Sequence, residues 1–338
     1  MSFLQILWFG LIGVLFAGFF FLDGFDYGVG MAVETLAYNE KEKSQVIETI
    51  GPVWDGNEVW LITAGGAMFA SFPYWYATLF SGYYLILLLI LFGLIIRGVS
   101  FEFRAQSPEY RKPFWDAMLA LGSLIAVFFL GVMFISMIKG MPIDANGNMK
   151  AQFFDYFNWF SIVGGIALVL LTYLHGLNYI TLKTKGPISD RARNYAQALY
   201  WVLYVGEVIF ALLLLFQTDF LRVHPILTWV CLVLIVGFSV AAHVCTFSDK
   251  QGLAFTFSGL TLVSLVALIF CGLFPRVMIS SISSSYDLMI QSASSSNYTL
   301  VIMTIATVIL VPCILAYTIW AYWIFRKRIE MPRVGDGY

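Results

Sequence analysis

Nine predominantly apolar stretches of about twenty or more residues run through this chain, at 4–30, 50–72, 75–103, 114–139, 156–182, 195–217, 225–247, 252–273 and 299–325. At about 1.5 Å of rise per helical residue, each can cross the hydrocarbon layer of a bilayer. Lipid offers the backbone no hydrogen bonds, so runs this long without alternation predict helices. Composition points the same way. Hydrophobic residues make up 60% and charged residues 12%, too little polar surface to coat a water-soluble body of 338 residues. The expected fold is an all-α integral membrane protein: a single polytopic membrane domain over 1–338 with about nine transmembrane helices. The second run is the weakest, because it opens on GPVWDGNEVW before continuing as LITAGGAMFA and ending at Phe72-Pro73. The start, MSFLQILWFG, has no basic lead and no small-residue cleavage site after its apolar run, which predicts a retained first helix.

The charges predict an orientation. With the N-terminus outside, 31–49, 97–113, 183–194, 248–251 and the C-terminal tail lie inside and hold fifteen of the nineteen Lys and Arg residues; Lys139, Lys150, Arg222 and Arg276 lie outside. That bias predicts N-out, C-cytoplasmic. A net charge of −1 excludes a basic nucleic-acid binder. Cys231, Cys245, Cys271 and Cys313 lie in or beside apolar runs without metal spacing, and read as small apolar side chains with no metal site. The outer loop 274–298 is Ser-rich, which favours a solvated segment. Its interleaved Met278, Ile282, Tyr286, Leu288 and Met289 favour one packed along the membrane surface or against a partner.

Ionisable residues inside spans are costly, about 2.5–3.5 kcal/mol each at mid-bilayer, and mark function. Asp23 and Asp26 share a face at the end of the first span, Asp55 and Glu58 at the inner start of the second, and Arg97 and Glu102 close the third. Two readings compete: an ion-pair network around Arg97, or a proton-entry path from the cytoplasm. Five acids against one arginine favour the path, because surplus buried charge must be protonated or hydrated. Trp54, Asn57 and Trp60 crowd the same turn, where the indole N–H groups can donate to the acids. Glu207, mid-span, is either a protonated carboxyl bonded to a neighbour such as Trp201 or Tyr204, or a functional group. His224 reads as solvated. His175 and His243 read as hydrogen-bonded interior residues, or as one bis-histidine haem pair. Gly24, Gly28, Gly65 and Gly66 are placed for close helix packing.

Two of these motifs carry a resemblance. LDGFDYGVG (22–30) and GPVWDGNEVWLITAGGAMFASFPYWYA (51–77), with RGVSFEFR (97–104) and more loosely GVMFISMIKGMPID (131–144) and FPRVMISS (274–281), resemble subunit II of the cytochrome bd-type quinol oxidases. The similarity runs nearly end to end. It implies a haem-free chain in a bacterial cell membrane, paired with a larger subunit I that carries two haems b and a haem d. The complex would reduce O2 to water with electrons from quinol. A small third subunit and a bound quinone are compatible with it. By position, Asp26 matches the second acid of the family's DGFD and Asp55 the acid of its WDG. Glu102 stands where some relatives have Asp, and Glu58 where others have Gln. His175, His243 and Glu207 match no family motif. The resemblance implies that this subunit supports assembly, shields the haems and supplies part of the proton route from the cytoplasm. A proton-coupled secondary transporter and a self-contained b-type cytochrome are the alternatives.

Overall fold

In the computed structural model, which describes residues 1–330, the apolar runs are helices. Helix α1 (Phe3–Leu22) starts at a reciprocal cap between Ser2 and Gln5, and α2 (Gly24–Leu36) follows after a single break at Asp23. The charged helix α3 (Glu40–Ile50) starts where the Asn39 side chain accepts from the Glu42 N–H. Next come α4 (Trp54–Ser71), α5 (Pro73–Gly82), α6 (Tyr84–Gln106), α7 (Lys112–Lys139), α8 (Trp159–Lys183), α9 (Pro187–Gln217), the single turn α10 (Phe220–Val223), α11 (Pro225–Phe247) and α12 (Gln251–Leu273). The short α13 (Ile290–Ala293) precedes α14 (Asn297–Ile324).

Among the described residues, eight stretches are long and apolar enough to cross a membrane. The expected span at 50–72 is the shortfall. As α4 it has 18 residues, and Asp55, Asn57 and Glu58 make its first turns too polar to qualify by composition. The run at 75–103 is divided at Tyr83, and only α6 has spanning length. Pro73 lacks the N–H that would continue α4, so the chain restarts there as α5.

The ends of the bundle differ in chemistry. At one end the basic segments are tied together: Arg191 to Glu42 at 2.6 Å, Arg193 to Asp249 at 3.0 Å, and the Ile329 N–H to the Lys183 carbonyl at 2.7 Å. At the other, the Ser-rich loop folds onto its own chain. Strand β1 (Arg276–Met278) pairs antiparallel with β2 (Leu288–Met289), Arg276 binds both oxygens of Asp219, and Ser280 Oγ donates to the Ile143 carbonyl at 2.7 Å. Met278 is buried there while Ile282 and Met289 are exposed, so the loop's apolar residues divide between its own core and the outside.

Between the ends, helices approach closely where glycines meet. A Cβ on Gly28 of α2 would sit 2.0 Å from the Thr172 carbonyl oxygen of α8, and one on Gly176 of α8 would sit 2.5 Å from the Gly28 backbone. Only hydrogen side chains permit that crossing. Gly24 packs more loosely, against Leu262. Gly65 and Gly66 do not serve this packing. A Cβ on Gly65 would meet only Phe80 at 3.8 Å and one on Gly66 nothing within 4 Å, because that side of α4 faces away from the chain.

Candidate functional site

The break between α1 and α2 puts Asp23 at the helix joint and Asp26 one turn later, both fully buried. The first turns of α4 bring Asn57 and Glu58 alongside, and α6 brings Arg97, also fully buried. Arg97 Nη2 lies 3.1 Å from Asp23 Oδ1 and 4.0 Å from Asp26 Oδ2; Nη1 lies 3.6 Å from Glu58 Oε2. One guanidinium thus serves three carboxylates. Its flat face lies 4.4 Å from the Tyr27 ring centroid, with Trp54 and Phe101, stacked on each other at 4.6 Å, slightly farther off. Asn57 Nδ2 donates to Asp26 Oδ2 at 2.7 Å, and Tyr322 of α14 donates its hydroxyl to Asn57 Oδ1 at 2.8 Å.

Of the acids expected here, Asp23, Asp26 and Glu58 come together; Asp55 and Glu102 do not. Both are exposed, Asp55 on α4 and Glu102 near the basic end of α6. Among the described residues neither indole donates to the acids. Trp54 contributes its ring face, and Trp60 packs over Gly18.

A second cluster escaped the sequence reading. Asp116 of α7 is fully buried, takes a short hydrogen bond from Arg104 Nε, and lies 3.4 Å from Lys43 Nζ; Glu40 and Glu34 complete the set at 3.0 and 2.7 Å from Arg104 and Lys43. Glu34 holds Lys43 as the cation to higher pH than usual. The signal was present: Arg104 lies two turns after Arg97 on one face of α6, and Asp116 is an acid just inside an apolar run.

Each histidine is hydrogen-bonded to a neighbouring group. His175 has Nδ1 on Ser258 Oγ at 2.7 Å and Nε2 on the Phe21 carbonyl at 3.0 Å, so neither nitrogen is available to iron. His243 meets the Tyr204 hydroxyl at 2.8 Å through Nδ1, and its Nε2 is buried without a partner. This donor set does not fit a bis-histidine haem. His224, rather than being solvated, bonds the Phe274 carbonyl at 2.5 Å and ties α11 to the Ser-rich loop. Tyr204 is therefore not the donor expected for Glu207, and Trp201 is exposed; Ser239 is the polar neighbour. Glu207 lines an otherwise apolar cavity of about 460 Å³ among α7, α8, α9, α11 and α12. Among the described residues no group of three or more His, Cys, Asp or Glu side chains has metal-binding geometry.

The comparisons with known proteins bear on this arrangement. The family model described as cytochrome bd terminal oxidase subunit II matches residues 4–325. The chain belongs to that family. It is 47% identical over 331 residues to cytochrome bd ubiquinol oxidase subunit 2 of Bacillus subtilis, covering 98% of both chains. It is 33% identical over 360 residues to cytochrome bd-I ubiquinol oxidase subunit 2 of Escherichia coli, covering 96% of this chain and 95% of the relative. A bd oxidase structure from Geobacillus thermodenitrificans superposes with a TM-score of 0.78 over 96% of this chain and 97% of that one; at 14% identity it shows the fold alone. Subunit II of a cytochrome bd quinol oxidase is part of a terminal oxidase, a quinol:oxygen oxidoreductase, and implies a partner subunit I. The transporter and self-contained cytochrome readings find no support.

Proposed function

We propose that this subunit carries protons from the cytoplasm towards the oxygen-reducing site of its partner, through the acids gathered at the basic end of the bundle. One observation carries the reading: three carboxylates, Asp23, Asp26 and Glu58, surround the single guanidinium of Arg97 in a buried site. Leaving all three ionised would bury two uncompensated charges, at several kcal/mol each. The cluster is therefore a place where exchangeable protons are held. Glu58 retains 19% side-chain exposure and connects the buried pair to the surface, while Asp55 and Glu102 act as exposed collectors.

The orientation we adopt is N-out and C-cytoplasmic in the bacterial cytoplasmic membrane, supported by the gathering of basic segments at one end of the bundle. We assign the haems, two b and one d, to subunit I, where they supply electron transfer and oxygen reduction. Docking of that subunit suits the open side of α4 beyond its first turns, where Thr63 and Gly66 are exposed among Val59, Ile62 and Phe69. Small and polar residues such as Gly66 and Thr63 suit a helix interface.

The test is Asp26→Asn and Asp55→Asn in the intact complex. Each slows quinol-driven oxygen consumption while haem content stays near normal. Loss of haem instead would make the acids structural and sink the proton path.

A further inference from the structure

We propose that Tyr322 is a positioning residue: it biases which way the Asn57 amide faces, and through that amide shifts the balance of Asp26 between carboxylate and acid. The chain of bonds crosses three helices, from the Tyr322 hydroxyl on α14 to Asn57 Oδ1 at 2.8 Å, and from Asn57 Nδ2 on α4 to Asp26 Oδ2 at 2.7 Å on α2. Asn57 is 2% exposed and Asp26 is fully buried, so neither has water to correct a mismatch.

An amide has one accepting end and one donating end, and an ionised carboxylate only accepts. With the hydroxyl donating to Oδ1, the amide must turn Nδ2 towards Asp26, which favours the carboxylate. With the amide reversed, Oδ1 faces Asp26, and only the protonated acid can satisfy it. The hydroxyl can rotate to accept from Nδ2 in that second setting, but a phenol donates better than it accepts, so its presence favours the first. Two self-consistent arrangements therefore exist, differing by one proton on Asp26. Oδ1 of Asp26 accepts from no donor side chain; the carboxyl there lies against that of Asp23, which takes a hydrogen bond from Asp26 only when Asp26 is protonated.

Other charged and titratable groups face Asp26 from the surrounding elements. Asp23 precedes it by a turn, Tyr27 adjoins it, Glu58 comes from α4, Arg97 from α6, and Tyr179 from α8. Arg97 is nearer to Asp23 and Glu58 than to Asp26, which leaves the amide as the closer partner of Asp26. His175 of α8 is engaged with Ser258 and Phe21, Asp116 of α7 with Arg104, Glu42 of α3 with Arg191, and Lys43 with Glu34 and Asp116. The helix that carries Tyr322, α14, is the spanning helix least covered by its own chain among the described residues, with 6% of its span buried.

The proposal deepens the proton-path reading but is measured separately from it. Infrared spectra of the intact complex across pH follow the carbonyl band of protonated Asp26, assigned by its loss in Asp26→Asn. Tyr322→Phe keeps the ring and removes the donor, and the band then persists to a pH about one unit higher, a tenfold tighter hold on the proton. In an Asn57→Leu background the same change adds no further shift, because its effect passes through the amide. Replacing Tyr322 with a fluorinated tyrosine, a stronger donor of the same shape, moves the band to lower pH. An unchanged titration in Tyr322→Phe, or a shift that survives in Asn57→Leu, overturns the proposal. Normal turnover in Asp26→Asn overturns the proton path, while the role of Tyr322 stands or falls on the spectra.

Discussion

Arg97→Gln removes the guanidinium that lies 3.1, 3.6 and 4.0 Å from Asp23, Glu58 and Asp26. At an effective dielectric of about 20, attraction to a charge at these separations is about 4–5 kcal/mol per pair. Desolvation of Arg97 and repulsion among the acids offset much of that sum, and removing one partner of a buried pair costs about 3–5 kcal/mol. We expect a loss of that size near pH 8, where the stranded acids are most ionised. The loss should shrink to less than half near pH 5, as protonation removes the uncompensated charge. The assay is thermal unfolding of the purified complex across this range. A companion variant sharpens it: Asp23→Asn combined with Arg97→Gln removes both charges of the closest pair and should recover at least about 1.5 kcal/mol relative to Arg97→Gln alone. A loss independent of pH, with no recovery in the double variant, would refute the charge argument and leave Arg97 as packing against Tyr27.

Three further outcomes follow from the geometry. Gly28→Leu should abolish assembly, since even a Cβ meets the Thr172 carbonyl at 2.0 Å, whereas Gly66→Ala should leave the thermal stability of this chain unchanged; Gly66→Leu should weaken recovery of subunit I by co-purification if α4 docks it. Arg276 donates to both oxygens of Asp219 and holds that carboxyl below its usual range, so the pair stabilises above about pH 4 and is lost as pH falls through the depressed folded value. Asp219→Asn should therefore cost about 1 kcal/mol of loop stability at neutral pH and progressively less as pH falls below about 4, read by hydrogen exchange over 276–289. His175→Ala and His243→Ala should leave the haem content of assembled complex unchanged; loss of one haem from either would return the bis-histidine reading.

Much of the site was legible before folding was considered. Asp23 and Asp26 share a helical face by spacing, and an arginine inside an apolar run demands carboxylates. The crowding of polar and aromatic residues in GPVWDGNEVW drew in Asn57 and Glu58. Spacing alone did not separate Asp55 from Glu58: the two share the i,i+3 relation, yet Asp55 is exposed. Neighbouring positions on one face diverge in burial where that face meets the edge of the bundle. Gly65 and Gly66 misled for a related reason: small residues announce a close contact without saying whether the partner is this chain or another. Asp116 went unpaired because its partners, Arg104 and Lys43, reach it from α6 and α3.

The sequence by itself determined that the chain lies in a membrane, that it is helical, and that it belongs with the bd oxidases. Those properties rest on run length, composition and contiguous motifs, all local along the chain. Only the tertiary structure decided which acids share Arg97, that Tyr322 of α14 reaches back over 265 positions to Asn57, and that α2 and α8 cross at Gly28 and Gly176. Each of these depends on the rotation and depth of one helix against another. Helix packing sets those quantities through contacts between residues far apart in sequence, and no spacing within a single span encodes them.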